Sequence, residues 1–557
     1  MSADSDFDIL GSVGVDVRTY GAVGDGTTDD TAAFTAALAA AAGSVVFVPA
    51  GTYVVNTVTA AGTTRIVLED GATLKHRTGS TSHLFVISGP YFSLTGGSVD
   101  GNHAGQGANR RYLLRCDLPA GCEVRVRNVR FTGSQACAVY ARNFGGHLDV
   151  SDCRFADMAE HDGEYQHWTC AVCVDGAQPG RKGMMRFNRN TLIGTTTPAL
   201  TGGAPGGIFF APVTDYPNGL GTGATIEAIG NWFWGIGQHC ANNDIAALHT
   251  YPMTLGARFI GNYFEACGFS AIAAKSCQDV VIADNTVLNG QISAKNMSAE
   301  GAISVVIGYQ AGSAARSRAV VTGNIVDNPG GESTAMRQVG IAVRGDPDSP
   351  ATDCLVSNNI VYESGQAGIG VSYVNGITIA DNIVRAGTTG TTFTEFGIRV
   401  DQTRGDVILS GNRVHSPNGH GLFALNAVDT ARFFLHGNVF EHTASGGYGV
   451  LLRGVGLAKF TGNTINADPG VALSITTNGT HDVGRFIWDA TNTIEAGAIS
   501  ISWPNVTTAS GQLIGTGSPE GVVAAPVGTT YTNLSGGATS TLYVKTSGTG
   551  RTGWTAK

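Results

Sequence analysis

ITIADNIV, residues 377–384, decides the fold of this chain. Apolar side chains alternate with small or polar ones, a polar pair ends in Asn, and the alternation resumes beyond it. Period-two alternation marks a strand with one buried face. The same phrase returns as VRVRNVRF at 124–131, IEAIGNWF at 226–233, ARFIGNYF at 257–264, VVIADNTV at 280–287, AVVTGNIV at 319–326, CLVSNNIV at 354–361, VILSGNRV at 407–414 and AKFTGNTI at 458–465. No copy can bury its own apolar face, so successive copies must stack. A stack of strand-forming repeats is a β-solenoid, here a single-stranded parallel β-helix of the all-β class.

Reading Asn128, Asp152, Asn190, Asn231, Asn262, Asn285, Asn324, Asn359, Asn382, Asn412, Asn438, Asn463 and Asn492 as one column predicts roughly 30 residues per coil. Asn suits such a column for two reasons: it tolerates the left-handed turn conformation, and stacked amides bond one another. The column is therefore expected to be structural. Composition agrees with a turn-rich solenoid, since the chain holds 79 Gly but only 17 Pro, with 14% charged residues. A net charge of -9 disfavours nucleic acid or an anionic membrane as partner, because either calls for a basic stripe. No apolar run is long enough to span a bilayer, and the acidic start carries no basic-then-apolar leader pattern.

Nine of the ten Cys (116, 122, 137, 153, 170, 173, 240, 267 and 277) crowd into one third of the chain. They are expected to be small buried hydrophobes, with no metal site. Cys170 and Cys173 have the spacing of a ligand pair but opposite parity on a strand, so they are expected to face opposite sides.

Residues 16–55, DVRTYGAVGDGTTDDTAAFTAALAAAAGSVVFVPAGTYVV, predict one short helix followed by two strands. Thr27 or Thr28 is the expected cap, Asp29 and Asp30 suit the helix's positive end, and Gly43 stops it. Such a helix can cover the open first coil of a stack. This stretch resembles the N-terminal signature of the pectate-lyase-like right-handed parallel β-helix superfamily, D-V-x-x-[FY]-G-A-x-G-D-G-x-x-D-D-T-x-A-[FI] followed by V-x-[FV]-P-x-G-x-Y. The resemblance implies a right-handed helix. It does not fix the chemistry, because the superfamily houses lyases, hydrolases, epimerases and non-catalytic members.

The expected organisation is a tail at 1–15, a cap with first coils at 16–110, the helix proper at 111–505 and a C-terminal segment at 506–557. That last segment is polar, with one apolar cluster at Leu542, Tyr543 and Val544, and is expected to lack a core of its own. Its final thirty residues, GTTYTNLSGGATSTLYVKTSGTGRTGWTAK, resemble the short tail of many bacteriophage tail-fibre and tailspike proteins. That resemblance implies a homotrimer on a virion tail. The tail before Asp16 is expected to be too short to anchor it, so a baseplate or adaptor protein would serve.

Each coil carries a further strand, reached by a loop after the Asn turn, and the superfamily usually binds sugars on this sheet. Aligned on the inward residues Val139, Val172, Ile208, Ile245, Ile272, Ile303, Ile341, Ile369, Ile398, Leu422 and Val450, the outward column three places on reads Arg142, Asp175, Ala211, Leu248, Lys275, Val306, Arg344, Ser372, Asp401, Leu425 and Arg453. In this alignment the column before the inward residue is small everywhere except at Asp244. Asp244 is therefore a candidate catalytic acid, with Glu265 as second carboxylate and His239 and Lys275 as sugar-binding neighbours. A second cluster, Glu160, Asp162, Tyr165, His167 and Trp168, lies in the loop feeding the Cys170 strand, and Asp175 can complete its acid pair. Arg142 joins the binding residues. Arg399 and Asp401, with Arg404 and Asp406, read as a distal subsite, whereas Asp100-Gly101-Asn102 reads as a structural turn.

Together these features imply a tailspike-type depolymerase that cleaves a bacterial surface polysaccharide at the host cell surface. Acids outnumber Arg and Lys in the two clusters, which favours cofactor-free hydrolysis. The alternatives are a β-eliminating lyase, for which Ca²⁺ can neutralise a uronate, and a receptor-binding fibre without catalysis.

Overall fold

The computed structural model describes residues 14–106, 111–134, 136–158, 170–175, 183–194, 206–211, 225–236, 246–250, 256–267, 270–275, 277, 279–289, 301–306, 318–327, 339–348, 350–364, 366–386, 396–416, 419–425, 431–442, 447–476, 485–489, 491–501, 512–515 and 517–557, less 524, 526 and 534. The chain divides into two units, Met1–Val281 with Gly290–Lys295 and Gln310–Ala314, and Ile282–Asn289 with Asn296–Tyr309 and Ala315–Lys557.

The first unit opens with the expected helix, Thr31–Ala41, whose Ala33, Phe34, Ala37 and Ala41 are buried. It packs against the strands Val15–Asp16, Val45–Val48, Gly51–Val55 and Val58–Ala60, and so covers the first coil. Its capping differs from expectation. Thr27 and Thr28 sit in the strand Asp25–Asp29, where the Asp25 carboxylate accepts their backbone N–H groups at 2.8 and 2.7 Å. Those bonds hold the Asp25 carboxyl far below its usual range. The N-cap position falls to Asp30, whose buried carboxylate makes no capping bond but turns back to accept from Val23 at 2.7 Å, while Asp29 accepts the Thr31 N–H at 3.1 Å. Ala42 and Gly43 end it in left-handed conformations at φ 44° and 91°.

Beyond the cap, each coil contributes a strand before the Asn turn, a short one after it and a third beyond a loop. Arg404–Ser410, Arg413–Ser416 and His420–Leu425 form one such coil in the second unit. Neighbouring coils pair in parallel and in register. In the first unit Val124, Leu148, Met185, Ile226 and Ala257 fall into one inward row, and in the second Cys354, Ile377, Val407, Phe433 and Ala458 do the same. Register places like on like, so rings stack on rings. Phe131 lies over Phe155 at 5.0 Å and Phe233 over Phe264 at 4.7 Å. Such pairs add about 0.5–1.5 kcal/mol each beyond the area they bury.

The Asn turn resolves into two adjacent rows. One is left-handed: Asn128, Asp152, Arg189, Gly230 and Gly261 in the first unit, then Asp284, Gly323, Asn358, Asp381, Gly411, Gly437 and Gly462 in the second, all with φ between 54° and 68°. The other row, one residue later, is buried and holds the amide ladder. Asn359 shows the pattern: its Oδ1 accepts the backbone N–H and Nδ2 of Asn324 at 3.0 and 2.9 Å. Its Nδ2 donates to Asn382 Oδ1 and to the Val321 carbonyl, both at 3.0 Å. The full capacity of the amide is used. The same exchange runs Asn190 to Asn231 to Asn262 in the first unit and Asn285 to Asn492 in the second. Asn128 and Asp152 thus belong to the left-handed row, not the ladder; Cys153 holds the ladder position there, its N–H donating to Asn190 Oδ1 at 2.9 Å. Both rows favour Asn, which is why one column of letters merges two geometries.

The cysteines described are free thiols, and all but Cys122 are buried. Burial pushes the thiol of Cys153 up to about 12. Cys170 and Cys173, expected on opposite sides, join one buried cluster with Cys137 and Tyr140. The C-terminal segment also departs from expectation by having a small core. Its four strands, Gln512–Gly515, Thr530–Asn533, Leu542–Lys545 and Trp554–Ala556, form one sheet that buries Leu513, Tyr531, Tyr543 and Trp554. Trp554 Nε1 donates to the Val523 carbonyl at 2.7 Å, and the Lys545 ammonium lies 5.6 Å from the Trp554 ring.

Replacing Asn359 by Leu strands the Asn324 N–H, the Val321 carbonyl and amide partners above and below. The expected cost is about 3 kcal/mol or more, read as a lower urea midpoint at unchanged slope. Asn358→Gly, in the left-handed row beside it, is expected to stay within about 0.5 kcal/mol of the parent.

Candidate functional site

The third strands carry the outward column expected to face sugar. In the first unit its register runs Asp117, Arg142, Asp175, Ala211. Arg142 is held by Asp117, Nη2 to Oδ2 at 2.8 Å, and Asn143 Nδ2 donates to the other Asp117 oxygen at 2.6 Å. Its charge is therefore already matched.

The case for Asp244 rested on Ile245 as the inward residue of its coil, and the register overturns it. Leu248, not Ile245, pairs with Ile208 on one side and Ile272 on the other. The preceding residue is then Ala247, buried and small like its neighbours. Three residues of slip produced the apparent anomaly. Asp244 itself, with His239, Glu160, Asp162, Tyr165, His167 and Trp168, lies outside the described residues. Lys275, expected at the surface, is fully buried, so it cannot grip a sugar there. Glu265 is on Tyr263–Glu265, the short strand after the Asn turn, where the Tyr263 hydroxyl donates to its Oε2 at 3.2 Å. It is thus on a different strand from the outward column. Asp100 accepts the Asn102 N–H at 2.7 Å, and Asn102 Nδ2 donates to the His76 carbonyl at 3.1 Å, which makes this the structural turn expected.

The second unit offers more. Here the outward column runs Val306, Arg344, Ser372, Asp401, Leu425, Arg453. The row two residues earlier runs Ala342, Gly370, Arg399, Phe423. Small residues at 342, 367 and 370 leave a hollow of about 300 Å³, bounded by Arg344, Gln366, Ser372, Tyr373, Arg399 and Asp401. A Cβ on Gly370 would come within 3.2 Å of Val339, so larger side chains crowd this floor.

Arg399 Nε meets Asp401 Oδ2 at 2.6 Å, and its guanidinium lies 5.2 Å from the Phe396 ring centre. The Asp401 side chain is only 17% exposed, and its Oδ1 has no hydrogen-bond partner among the described residues. Burial raises its pKa and outweighs the opposing pull of Arg399. This carboxyl holds its proton more readily than a surface aspartate, which is the property a general acid needs. At the other end of the same strand an aromatic row begins at Phe396. Phe396 lies 5.3 Å from His420 and 4.8 Å from Phe423, and His420 lies 5.1 Å from Tyr448. Burial pushes the His420 pKa down to about 4, and its Nδ1 accepts the Tyr448 N–H at 3.0 Å, so the ring is neutral near pH 7.

Sequence reasoning placed Arg399 and Asp401 at a distal subsite. The structure puts them on the wall of the hollow and separates them from Arg404 and Asp406, which lie on the next strand, where Asp406 pairs with Arg432. Arg344, Ser372 and Gly370 were missed as site residues. The run of small residues one row earlier was the available signal. Asp401 is the sole carboxylate among the described residues lining the hollow, so the expected acid pair is not assembled by these residues.

Two family models match the chain. Residues 14–99 match Rhamnogalacturonase A/epimerase, pectate lyase-like, and residues 334–485 match the Right handed beta helix region. The stacked coils are accordingly those of a right-handed parallel β-helix. A non-secreted LysM effector from Penicillium expansum is 49% identical over 52 residues, which is 9% of this chain and 4% of that protein. Among solved structures, the Streptococcus pneumoniae surface adhesin PfbA is 16% identical over 74% of this chain and 93% of its own, with a TM-score of 0.43. Tailspike protein 3 of bacteriophage CBA120 is 13% identical over 99% of this chain and 69% of its own, with a TM-score of 0.32. Such distant likeness does not transfer activity.

Because the folded-state pKa of Asp401 is raised, ionising it opposes folding above the ordinary carboxylate value of 3.8. Asp401→Asn is therefore expected to raise the thermal midpoint at pH 7, with the difference from the parent closing as the pH falls toward 4.

Proposed function

We propose that this protein is a polysaccharide depolymerase of the phage tailspike type, which binds a bacterial surface glycan along the third-strand face of the second unit and cleaves it by hydrolysis at the Asp401 hollow. The observation that carries this reading is a largely buried aspartate of raised pKa, set in a hollow of about 300 Å³ and paired with Arg399, whose guanidinium lies against the Phe396 ring. Aromatic faces stack on sugar rings, while Arg399 and Arg344 supply donors to hydroxyls or carboxylates. Asp401 would then protonate the departing glycosidic oxygen. Hydrolysis requires a second carboxylate, which must come from a residue beyond the described lining or from a neighbouring subunit. The pectate-lyase-like match at the start of the chain supports a glycan as substrate. The resemblance of the last thirty residues to phage fibre tails supports a trimeric virion location with a baseplate or adaptor partner.

One observation favours a second reading. Two arginines and Tyr373 share the hollow with a single acid, a set that suits β-elimination of a uronate, with arginine or added Ca²⁺ neutralising its carboxylate.

The test is incubation of the full chain with a panel of capsular and exopolysaccharides, reading new reducing ends and unsaturated-uronate absorbance in parallel. Hydrolysis gives the first signal alone, elimination gives both, and saturable binding with neither would leave a receptor-binding fibre. Asp401→Asn is expected to lower kcat by about 100-fold or more without unfolding the protein. Gly370→Leu, which fills the hollow, is expected to raise KM or abolish turnover. Full activity in both variants would remove the hollow from the reaction.

A further inference from the structure

Among the described residues, four third strands are followed directly by a left-handed residue, and the side chains chosen at the Asp401 hollow differ from those elsewhere. Asn143 follows Arg142 at φ 53° in the first unit, and Gly454 follows Arg453 at φ 62° in the second. These are the unstrained choices, because Gly has no Cβ to clash and Asn tolerates the conformation. Two coils depart from them. Tyr373 follows Ser372 at φ 53°, and Gln402 follows Asp401 at φ 48°. Most described non-glycine residues with positive φ are Asn or Asp, and Tyr373 is the one aromatic among them. A bulky side chain makes this conformation costly, so its presence needs a reason.

The fold requires the turn but not these side chains. Tyr373 alone separates the strands Ala367–Ser372 and Val374–Ala380, and Gln402 and Thr403 alone separate Phe396–Asp401 from Arg404–Ser410. The backbone N–H groups are committed between coils: Tyr373 donates to the Asp401 carbonyl at 3.2 Å and Gln402 to the Leu425 carbonyl at 2.9 Å. Gly or Asn would make the same bonds. Asn143 shows what a local structural role looks like, its Nδ2 donating to Asp117 at 2.6 Å. The Tyr373 hydroxyl and the Gln402 amide have no such partner among the described residues. Both residues instead line the hollow, one level apart, because Ser372 and Asp401 pair between coils. Tyr373 is half-buried and Gln402 is exposed. Strain at two adjacent levels, with uncommitted polar groups beside a cavity, suits a ligand rather than folding.

We propose that Tyr373 and Gln402 are substrate-contact residues that hold one sugar unit at the lip of the Asp401 hollow. Tyr373 lays its ring against the apolar face of the sugar, and its hydroxyl meets a sugar hydroxyl at the ring's edge. The Gln402 amide, with donors on nitrogen and an acceptor on oxygen, bonds hydroxyls of the same unit. An amide and a phenol match hydroxyls, as Arg344 and Arg399 match anionic groups. The left-handed turn is what sets both side chains at the lip, and the strain is the cost of that placement. This inference rests on reading the hollow as a glycan site.

The test compares the full chain with Tyr373→Asn and Gln402→Asn in two measurements: the thermal midpoint, and glycan affinity by electrophoresis through gels cast with each polysaccharide of the panel. Both variants are expected to keep or raise the midpoint, because Asn suits the left-handed turn. Both are expected to bind about tenfold or more weakly than the parent. A lowered midpoint would mean that the side chain serves folding, and would overturn the proposal for that residue. Parent-like affinity in a folded variant would do the same. A parent that binds no polysaccharide would end the glycan reading of the hollow and this inference with it, whereas binding by the parent that both variants retain would end this inference alone.

Discussion

A buried asparagine that bonds its counterparts one coil above and one below is the constraint on which each unit's stack depends. An amide taken from water without partners costs free energy, and an amide with four partners organises everything next to it. Asn359 reaches that state only when Asn324 and Asn382 sit directly over and under it. The ladder therefore enforces register, since slipping by one residue would strand donors and acceptors while turning each strand's apolar face outward. Left-handed residues beside it turn the chain sharply enough for the next strand to begin at once.

Register has consequences beyond stability. Once like sits on like, any outward position becomes a row, and the chemistry of a face is the sequence read at intervals of one coil. Where Ala342, Gly370 and Arg399 follow one another, two small residues before a large one make a dent. Where Arg399 and Asp401 stand at alternate positions of one strand, they share the outer face and pair across it. The burial that raises Asp401 follows from its neighbours in the stack rather than from any local motif.

Much of this could be read from the letters, and the failures are as instructive. The coil phrase, the capping helix and the outward column at Arg142, Arg344 and Asp401 are all visible by counting. Asp244 shows the limit. Counting from a wrong inward residue moved the column by three places, because Ile245 and Leu248 are equally apolar and only pairing with Ile208 and Ile272 separates them. Asn128 and Asp152 show another, since the left-handed and ladder positions favour the same residue. Lys275 shows a third: position in an outward column says nothing about what lies over it, and it is buried.

By itself the sequence determined that this chain stacks in β coils under a helical cap, because a period-two pattern with a recurring Asn has no other means of hiding its apolar half. Only the tertiary structure decided which residues face one another between coils, and hence where a hollow, an ion pair or a perturbed acid arises. The reason is that repeat length varies from coil to coil through the loops, so neighbours in space are separated by no constant interval along the chain. Hydrogen bonding between coils, not spacing in the sequence, brings Asp401 and Ser372 to adjacent levels, with Arg344 one level further on.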